Sequence, residues 1–318
     1  MNTLQIRFIT LRFFLGILPR NAVSLATGWL ARLQLPAPLQ RLANSLFMRI
    51  FRLNMGEAQM ADPGSYASIE DLFIRHLRPG LRPAQSRYVS PADGYLAWSA
   101  PLHHGAAIQA KGIDYDPAEL VWGSDSVLHA TQSANFKWFT TVYLAPHNYH
   151  RVHAPVSGLI QAVRHIPGDL WPVNEPFVRF FPDLFLRNER LVFDIALTAD
   201  LDGAKSNPEG QQMMAHVVMV GAFNVGRMTT HLLPGFSTNS AMVWPQAQRN
   251  WNLNGNPEAG HSAAGGMMKV GAGDELGAFL LGSTVVIVLN DAATKFLKPV
   301  QAAGNRPILM GQSLMEGV

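Results

Sequence analysis

The 318-residue chain contains no cysteine. That absence removes disulfides, thiolate nucleophiles and thiolate metal sites, so any covalent chemistry has to run through Ser, Thr, Lys or a modified residue. Acidic charge is missing from the N-terminus: Arg7, Arg12, Arg20, Arg32, Arg41, Arg49 and Arg52 all precede the first acid, Glu57. Long apolar runs are missing there too. The longest uncharged stretch, Asn21 to Ala31, falls short of the roughly 20 residues that span a bilayer, so no transmembrane helix is predicted. There is no low-complexity tract and no internal repeat.

What the first 56 residues do hold is arginine set among Phe, Leu, Ile and Trp, as in FFLGILP and NAVSLATGWLA. An apolar face with a cationic rim predicts helices lying on an anionic membrane surface, each arginine contributing about 1 kcal/mol. Two other readings stand beside it, an Arg-rich presequence, which the scarcity of serine disfavours, and an ordinary core-packing helical hairpin. A nucleic-acid arm is disfavoured by the apolar content and by the lack of lysine.

After Glu57 the texture changes. SIEDLFIRHLRPG predicts a helix capped by Ser68, with Asp71 in its first turn and Gly80 past its end. GYLAWSAPL, TTVYLAP, LVFDIALT, HVVMVGAFNVGRM and STVVIVL are rich in β-branched and aromatic residues and are punctuated by Gly, Pro, Asn or Asp, which predicts strands. Helical patterns do not alternate with these strands, so a doubly wound parallel sheet is disfavoured. The expected fold is α+β: a helical membrane-associating segment over 1–56, then a predominantly β body, sandwich- or barrel-like, over 57–318.

Three stretches could carry chemistry. FLLGSTVV places Ser283 directly after Gly282, but Val285 stands where a hydrolase elbow needs glycine, and a strand pattern follows. A serine after glycine can instead attack the carbonyl before it, because glycine tolerates the strained backbone this requires. YLAPHNYHRVHAP carries His147, His150 and His153. Spacings of three put the middle ring on the opposite face of an extended chain, which argues against a metal and for general acid/base groups near Arg151. SPADG, with Asp93, reads by itself as a turn.

Taken together, SPADG, YHRVHAP, PGDLWPVN, LFLRNERLV and GDELGAFLLGST, in this order and after EDLFIRHLRPGLRP, resemble the phosphatidylserine decarboxylases. The resemblance covers roughly residues 55–318. PHN before Tyr149 and the stretch Ser237–Gly260 depart from the family pattern, the second where headgroup recognition or a lid could be affected.

What the resemblance implies is specific. Asp93 orients and charges His153, His153 takes the Ser283 proton, and Ser283 attacks Gly282, so that the proenzyme cleaves itself into 1–282 and 283–318. Ser283 then becomes a pyruvoyl group, the cofactor, which forms a Schiff base with phosphatidylserine and leads to phosphatidylethanolamine. His150 is implied to protonate the carbon that loses carbon dioxide. The implied partners are the phospholipid substrate, an anionic membrane surface and the two cleavage fragments as a heterodimer, with further dimerisation open and nucleic acid excluded. No metal is expected, and the place implied is the cytoplasmic side of the cell membrane, peripherally bound. Another amine-bearing substrate, or an uncleaved membrane-binding scaffold, remains as an alternative.

Overall fold

The computed structural model describes residues 3–17, 19–110, 113–123, 135–198, 211–223, 227–238, 248–253, 268–280 and 283–317. Gly282 and most of the divergent stretch Ser237–Gly260 lie outside them.

Three helices open the chain, α1 (Thr3–Ile17), α2 (Arg20–Ala31) and α3 (Ala37–Phe51). No single helix among the described residues is long and apolar enough to cross a membrane; α1 and α2 together would be, but they bend by 84° at the break between them. Pro19 is the N-cap of α2, where its missing N–H costs no helical bond and its carbonyl accepts from Val23 N at 3.0 Å.

α3 is inside out. Its buried residues are Gln40 and Asn44, while Leu39, Leu42, Leu46 and Ile50 are exposed. The inward amides are bonded: Gln40 donates to Asn44 Oδ1 (2.8 Å), and Asn44 Nδ2 to the carbonyls of Pro63 (2.9 Å) and Tyr66 (3.0 Å). Water-facing helices show the reverse polarity.

Ser68 caps α4 (Ile69–Phe73) by accepting from Asp71 N at 3.1 Å, as expected. The helix stops at Phe73 instead of running toward Gly80. Past it the backbone pairs with an earlier segment, through Gln59 N to His76 O (2.8 Å) and Arg78 N to Glu57 O (2.9 Å), and this tertiary pairing prevails over helical propensity.

The body is mainly β. Its strands are β1 (Gly94–Pro101), β2 (Ala107–Ala110), β3 (Ile113–Tyr115), β4 (Phe136–Leu144), β5 (Arg151–His153), β6 (Gly158–Ile166), β7 (Arg190–Leu197), β8 (Met214–Val220), β9 (Met228–Thr229), β10 (Arg249–Asn252), β11 (Met268–Val270), β12 (Glu275–Phe279), β13 (Ser283–Asn290) and β14 (Ala302–Ile308). Nine form one sheet in the order β10-β6-β7-β8-β13-β4-β1-β14, with β11 also on β6; β5-β12-β9 form a second sheet and β2-β3 a ribbon. Pairings between these strands are antiparallel, consistent with the missing β/α alternation. The large sheet's path ends at β10 and β14 without closing, so among the described residues it is an open sheet and not a barrel.

β13 lies between β8 and β4, and Val285 to Leu289 are fully buried there. That setting explains the unbroken VVIVL run, since a strand covered on both faces reads as continuous apolar sequence. α1 docks on the body through Phe8, whose ring meets Phe177 edge-on at 5.3 Å. Arg20, at the start of α2, stacks over Trp171 at 3.7 Å and pairs with Asp169 at 3.3 Å, tying the helices to the PGDLWPVN loop.

Candidate active site

β5 brings two of the three quoted stretches together. It pairs with β12, so the YHRVHAP segment lies along the strand that leads to Gly282-Ser283. Its last residue reaches the third stretch, because His153 N donates to Pro91 O of SPADG at 2.8 Å. Gly94 of SPADG fits for a steric reason: a Cβ there would stand 2.3 Å from the Tyr143 carbonyl oxygen, so only glycine lets β1 approach β4 this closely.

His150 and His153 are both buried, in separate surroundings as their spacing predicted. Carbonyl acceptors fix both tautomers. His153 Nδ1–H donates to Gly273 O (2.8 Å) and His150 Nδ1–H to Asn148 O (2.9 Å), leaving a lone pair on each Nε2. His153 Nε2 accepts from the Tyr149 hydroxyl at 3.1 Å. His150 Nε2 is buried with no hydrogen-bond partner, and its ring lies 4.1 Å from that of Phe73. Burial pushes His150 down to about 3, against the opposing pull of the Asn148 carbonyl, so it is a neutral base. Burial also lowers His153, while the Gly273 carbonyl and then Glu275 and Asp93 draw it back up. His147 is exposed. Among the described residues no group of three or more His, Asp or Glu could hold a metal.

Of the two parts the resemblance gave Asp93, its charge acts on His153, but no hydrogen bond between them orients the ring. The Asp93 oxygens accept from Arg82 Nε (3.2 Å) and Nη2 (3.0 Å) and from Met310 N (2.8 Å). His153 is oriented by Gly273 and Tyr149 instead, and Asp93 acts on it only through its field. The reason is competition. A guanidinium offers a two-point grip on a carboxylate that one imidazole N–H does not match, and Arg82 is anchored from behind by Glu57 at 2.8 Å.

Ser283 begins β13 opposite Leu144, and Thr284 sits between Tyr143 and Val220. Three residues upstream, Leu280 N donates to Arg227 O at 3.1 Å, and before it Phe279 N donates to His150 O at 2.9 Å. Leu144 also lines an apolar cavity of about 570 Å³ whose other walls include Leu15, Leu30, Phe47, Phe73 and Val173. The cavity therefore joins the N-terminal helices to the level of the sheet where β13 starts. The remaining motifs brace it: Asn188 of LFLRNERLV donates through Nδ2 to the carbonyls of Trp171 and Gly221, both at 2.8 Å.

Sequence reasoning passed over two residues of this constellation. Tyr149 lay inside the quoted YHRVH stretch, where its direct adjacency to His150 drew attention from its contact four residues on. Arg82 lay in LRPGLRP, but nothing local marks an arginine as the partner of Asp93.

Fold and site together define a class, an α+β enzyme whose antiparallel body sets two buried, neutral imidazoles beside a strand that starts at a Gly-Ser bond. Residues 69–316 match the family model described as phosphatidylserine decarboxylase. The chain is similar to proteins named phosphatidylserine decarboxylase proenzyme from Halorhodospira halophila (37% identical over 303 residues, 94% of this chain and 90% of that one) and Anaeromyxobacter sp. (35% over 303 residues, 94% and 95%). A third, from Alkalilimnicola ehrlichii, is 34% identical over 276 residues, 86% of this chain and 85% of that one. The chain belongs to the phosphatidylserine decarboxylase family.

Proposed function

We propose that this protein is made as a proenzyme, cleaves itself between Gly282 and Ser283, and decarboxylates phosphatidylserine to phosphatidylethanolamine. The observation that carries the reading, beside the family match, is the orphaned Nε2 of His150 next to the strand that leads to Ser283. A buried polar atom without a partner is costly, and it suits a site completed by a polar group that arrives later.

In self-cleavage, His153 Nε2 receives the Ser283 hydroxyl proton with the Tyr149 hydroxyl as its intermediary, and the field of Asp93 favours the protonated ring. The pyruvoyl group that Ser283 would become would supply an electrophilic carbonyl able to accept electrons from the substrate. The chain's residues handle protons. His150 Nε2, free of a partner, would carry the proton to the carbon that loses the carboxylate, once the substrate's anionic groups arriving beside it raise its proton affinity from the low value that burial alone sets. Phe73 and the apolar cavity keep water from that carbon.

The membrane reading belongs to the same proposal: residues 1–56 hold the enzyme on the cytoplasmic side of the cell membrane, and 57–318 form the decarboxylase body. What supports it is the placement of apolar surface. Apart from Leu309, every exposed large hydrophobic residue among the described ones lies at or before Met60. With the arginines around them, such faces suit an anionic lipid surface. The fragments 1–282 and 283–318 stay paired as a heterodimer, supported by the double-sided ladder of β13 and the β14-β1 pairing.

Intact mass measurement tests the reading directly. Two fragments, the smaller blocked at its N-terminus, are expected, with carbon dioxide released from phosphatidylserine; Ser283→Ala stays full-length and inactive. Cleavage that persists in Ser283→Ala refutes the assignment.

A further inference from the structure

A phosphatidylserine phosphate stands four bonds from the amine that reacts, so whatever holds it must lie close to Ser283. The backbone of Arg227 lies on the segment next to that position. Its carbonyl accepts from Leu280 N (3.1 Å), three residues short of Ser283, a separation of at most about 11 Å of chain. From there its side chain runs along α2, where a Cβ on Gly28 would lie 3.8 Å from Arg227 Cδ.

The guanidinium is under-used. Nη2 donates to Ser237 Oγ at 3.1 Å, but Nε and Nη1 are buried without a hydrogen-bond partner. Its nearest acid, Glu70, stands 3.7 Å from Nη1, beyond hydrogen-bonding distance, and is shared with Arg32 at 4.0 Å. Asp71 also acts on Glu70, but among the described residues Glu70 is the one acid whose charge bears on Arg227, and Arg32 opposes it. The cluster also sits beside the apolar cavity: Thr27, Leu30 and Ala31 flank Gly28 and Arg32, and Ile69 and Phe73 flank Glu70. An anion on an apolar tail entering that cavity would meet Arg227 at its polar edge.

We propose that Arg227, with Arg32 beside it across Glu70, binds the phosphodiester of the phospholipid substrate, the unpaired N–H groups of Arg227 donating to its oxygens. This rests on the decarboxylase reading above. Burial opposes the charge of Arg227, with Glu70 only partly offsetting it, so an arriving anion would further offset the cost of keeping that charge buried. Arginine suits the role because its planar fork donates two parallel bonds to phosphate.

The test compares short-chain phosphatidylserine with its uncharged methyl phosphotriester. Charge-assisted hydrogen bonds are worth about 1.5–3 kcal/mol, so the wild type should show a KM about tenfold to a hundredfold lower for the diester. Arg227→Ala should raise the diester KM by that factor and leave the triester unchanged, and Arg227→Lys should fall between. Glu70→Gln, which removes the competing carboxylate, should lower the diester KM; a purely structural ion pair would make both variants worse on both substrates. Binding of dihexanoyl phosphatidylethanolamine to Ser283→Ala, read by calorimetry with and without Arg227→Ala, gives the same ratio without turnover and covers a variant that fails to process. An equal rise on both substrates, no rise on either, or inorganic phosphate competing as well as the lipid headgroup would overturn the assignment. No carbon dioxide from either substrate with the wild type would instead overturn the decarboxylase reading, and calorimetry would still decide the anion site.

Discussion

Removing the Asp93 carboxylate should first of all loosen the fold. In Asp93→Ala, Arg82, whose side chain is 7% exposed, loses two hydrogen bonds and keeps only Glu57, and Met310 N loses its acceptor. Breaking a buried ion pair by deleting one member costs about 3–5 kcal/mol, and the surviving Glu57 places this case near the lower end. The orphaned amide adds about 1 kcal/mol. For a body of this size each kcal/mol moves the melting temperature by about 2–4 °C, so a fall on the order of 10 °C is expected. The measurement belongs in a Ser283→Ala background, where every variant stays uncleaved and melting reports the fold alone. Asp93→Asn, which keeps an oxygen for Met310 N but not the charge, should lie between. In the chain with Ser283 intact, Asp93→Ala should also accumulate precursor. If that variant fails to cleave yet melts within about 1 °C of its parent, Asp93 acts directly on His153 and the anchoring argument is wrong.

The two histidines separate by step: His153→Ala should accumulate precursor, whereas His150→Ala should cleave yet release carbon dioxide about 10² to 10⁴ times more slowly per pyruvoyl group formed, as gels and gas release will show. Stability should fall in acid. His150 titrates near 3 when folded and near about 6.5 when unfolded, so between those values the unfolded chain binds the extra proton and stability drops as pH falls, by up to about 1.4 kcal/mol per unit; His150→Phe should flatten that limb of a denaturant-midpoint profile, though not fully, because His153 is lowered too. Leu42→Asp with Leu46→Asp should move protein from anionic vesicles into the supernatant without changing the melting temperature, and an unchanged sedimentation profile counts against the lipid-facing assignment of α3. After cleavage, the 283–318 fragment should co-elute with 1–282 until the protein is denatured.

The features legible in the sequence were those fixed by neighbours along the chain. β13 announced itself through Thr284 to Leu289, and the α4 cap through Ser68 and Asp71, because strand pattern and capping are local. What escaped depended on distant partners. The Asp93 bond to Met310 crosses 217 positions, and Arg82 is chosen by geometry that no spacing encodes. α3 shows the same difficulty in its polarity: the row Leu39, Leu42, Leu46, Ile50 has the period of a core stripe, and periodicity alone does not say which face turns inward. Gln40 and Asn44 settle it, since their amides meet one another and the Pro63 and Tyr66 carbonyls.

The position of the Gly-Ser bond ties fold to chemistry. A break inside β13 would sever ladders on both sides, whereas a break before Ser283 leaves every pair from Ser283 to Asn290 in place. The five residues Val285 to Leu289 are fully buried, and at about 1.5–3 kcal/mol for each large apolar side chain their burial resists departure of the small fragment. β14 adds a second ladder, against β1, and Met310 a hydrogen bond to Asp93, so the proposed fragment would be held at both ends. Under the proposed cleavage, a terminus made at Ser283 would be fixed at one strand end, beside Leu144 and the cavity wall, while the strand behind it could not shift without unzipping two neighbours. Where the reactive group must be created by cutting the chain that positions it, the start of a doubly paired central strand is the place where cutting disturbs the positioning least.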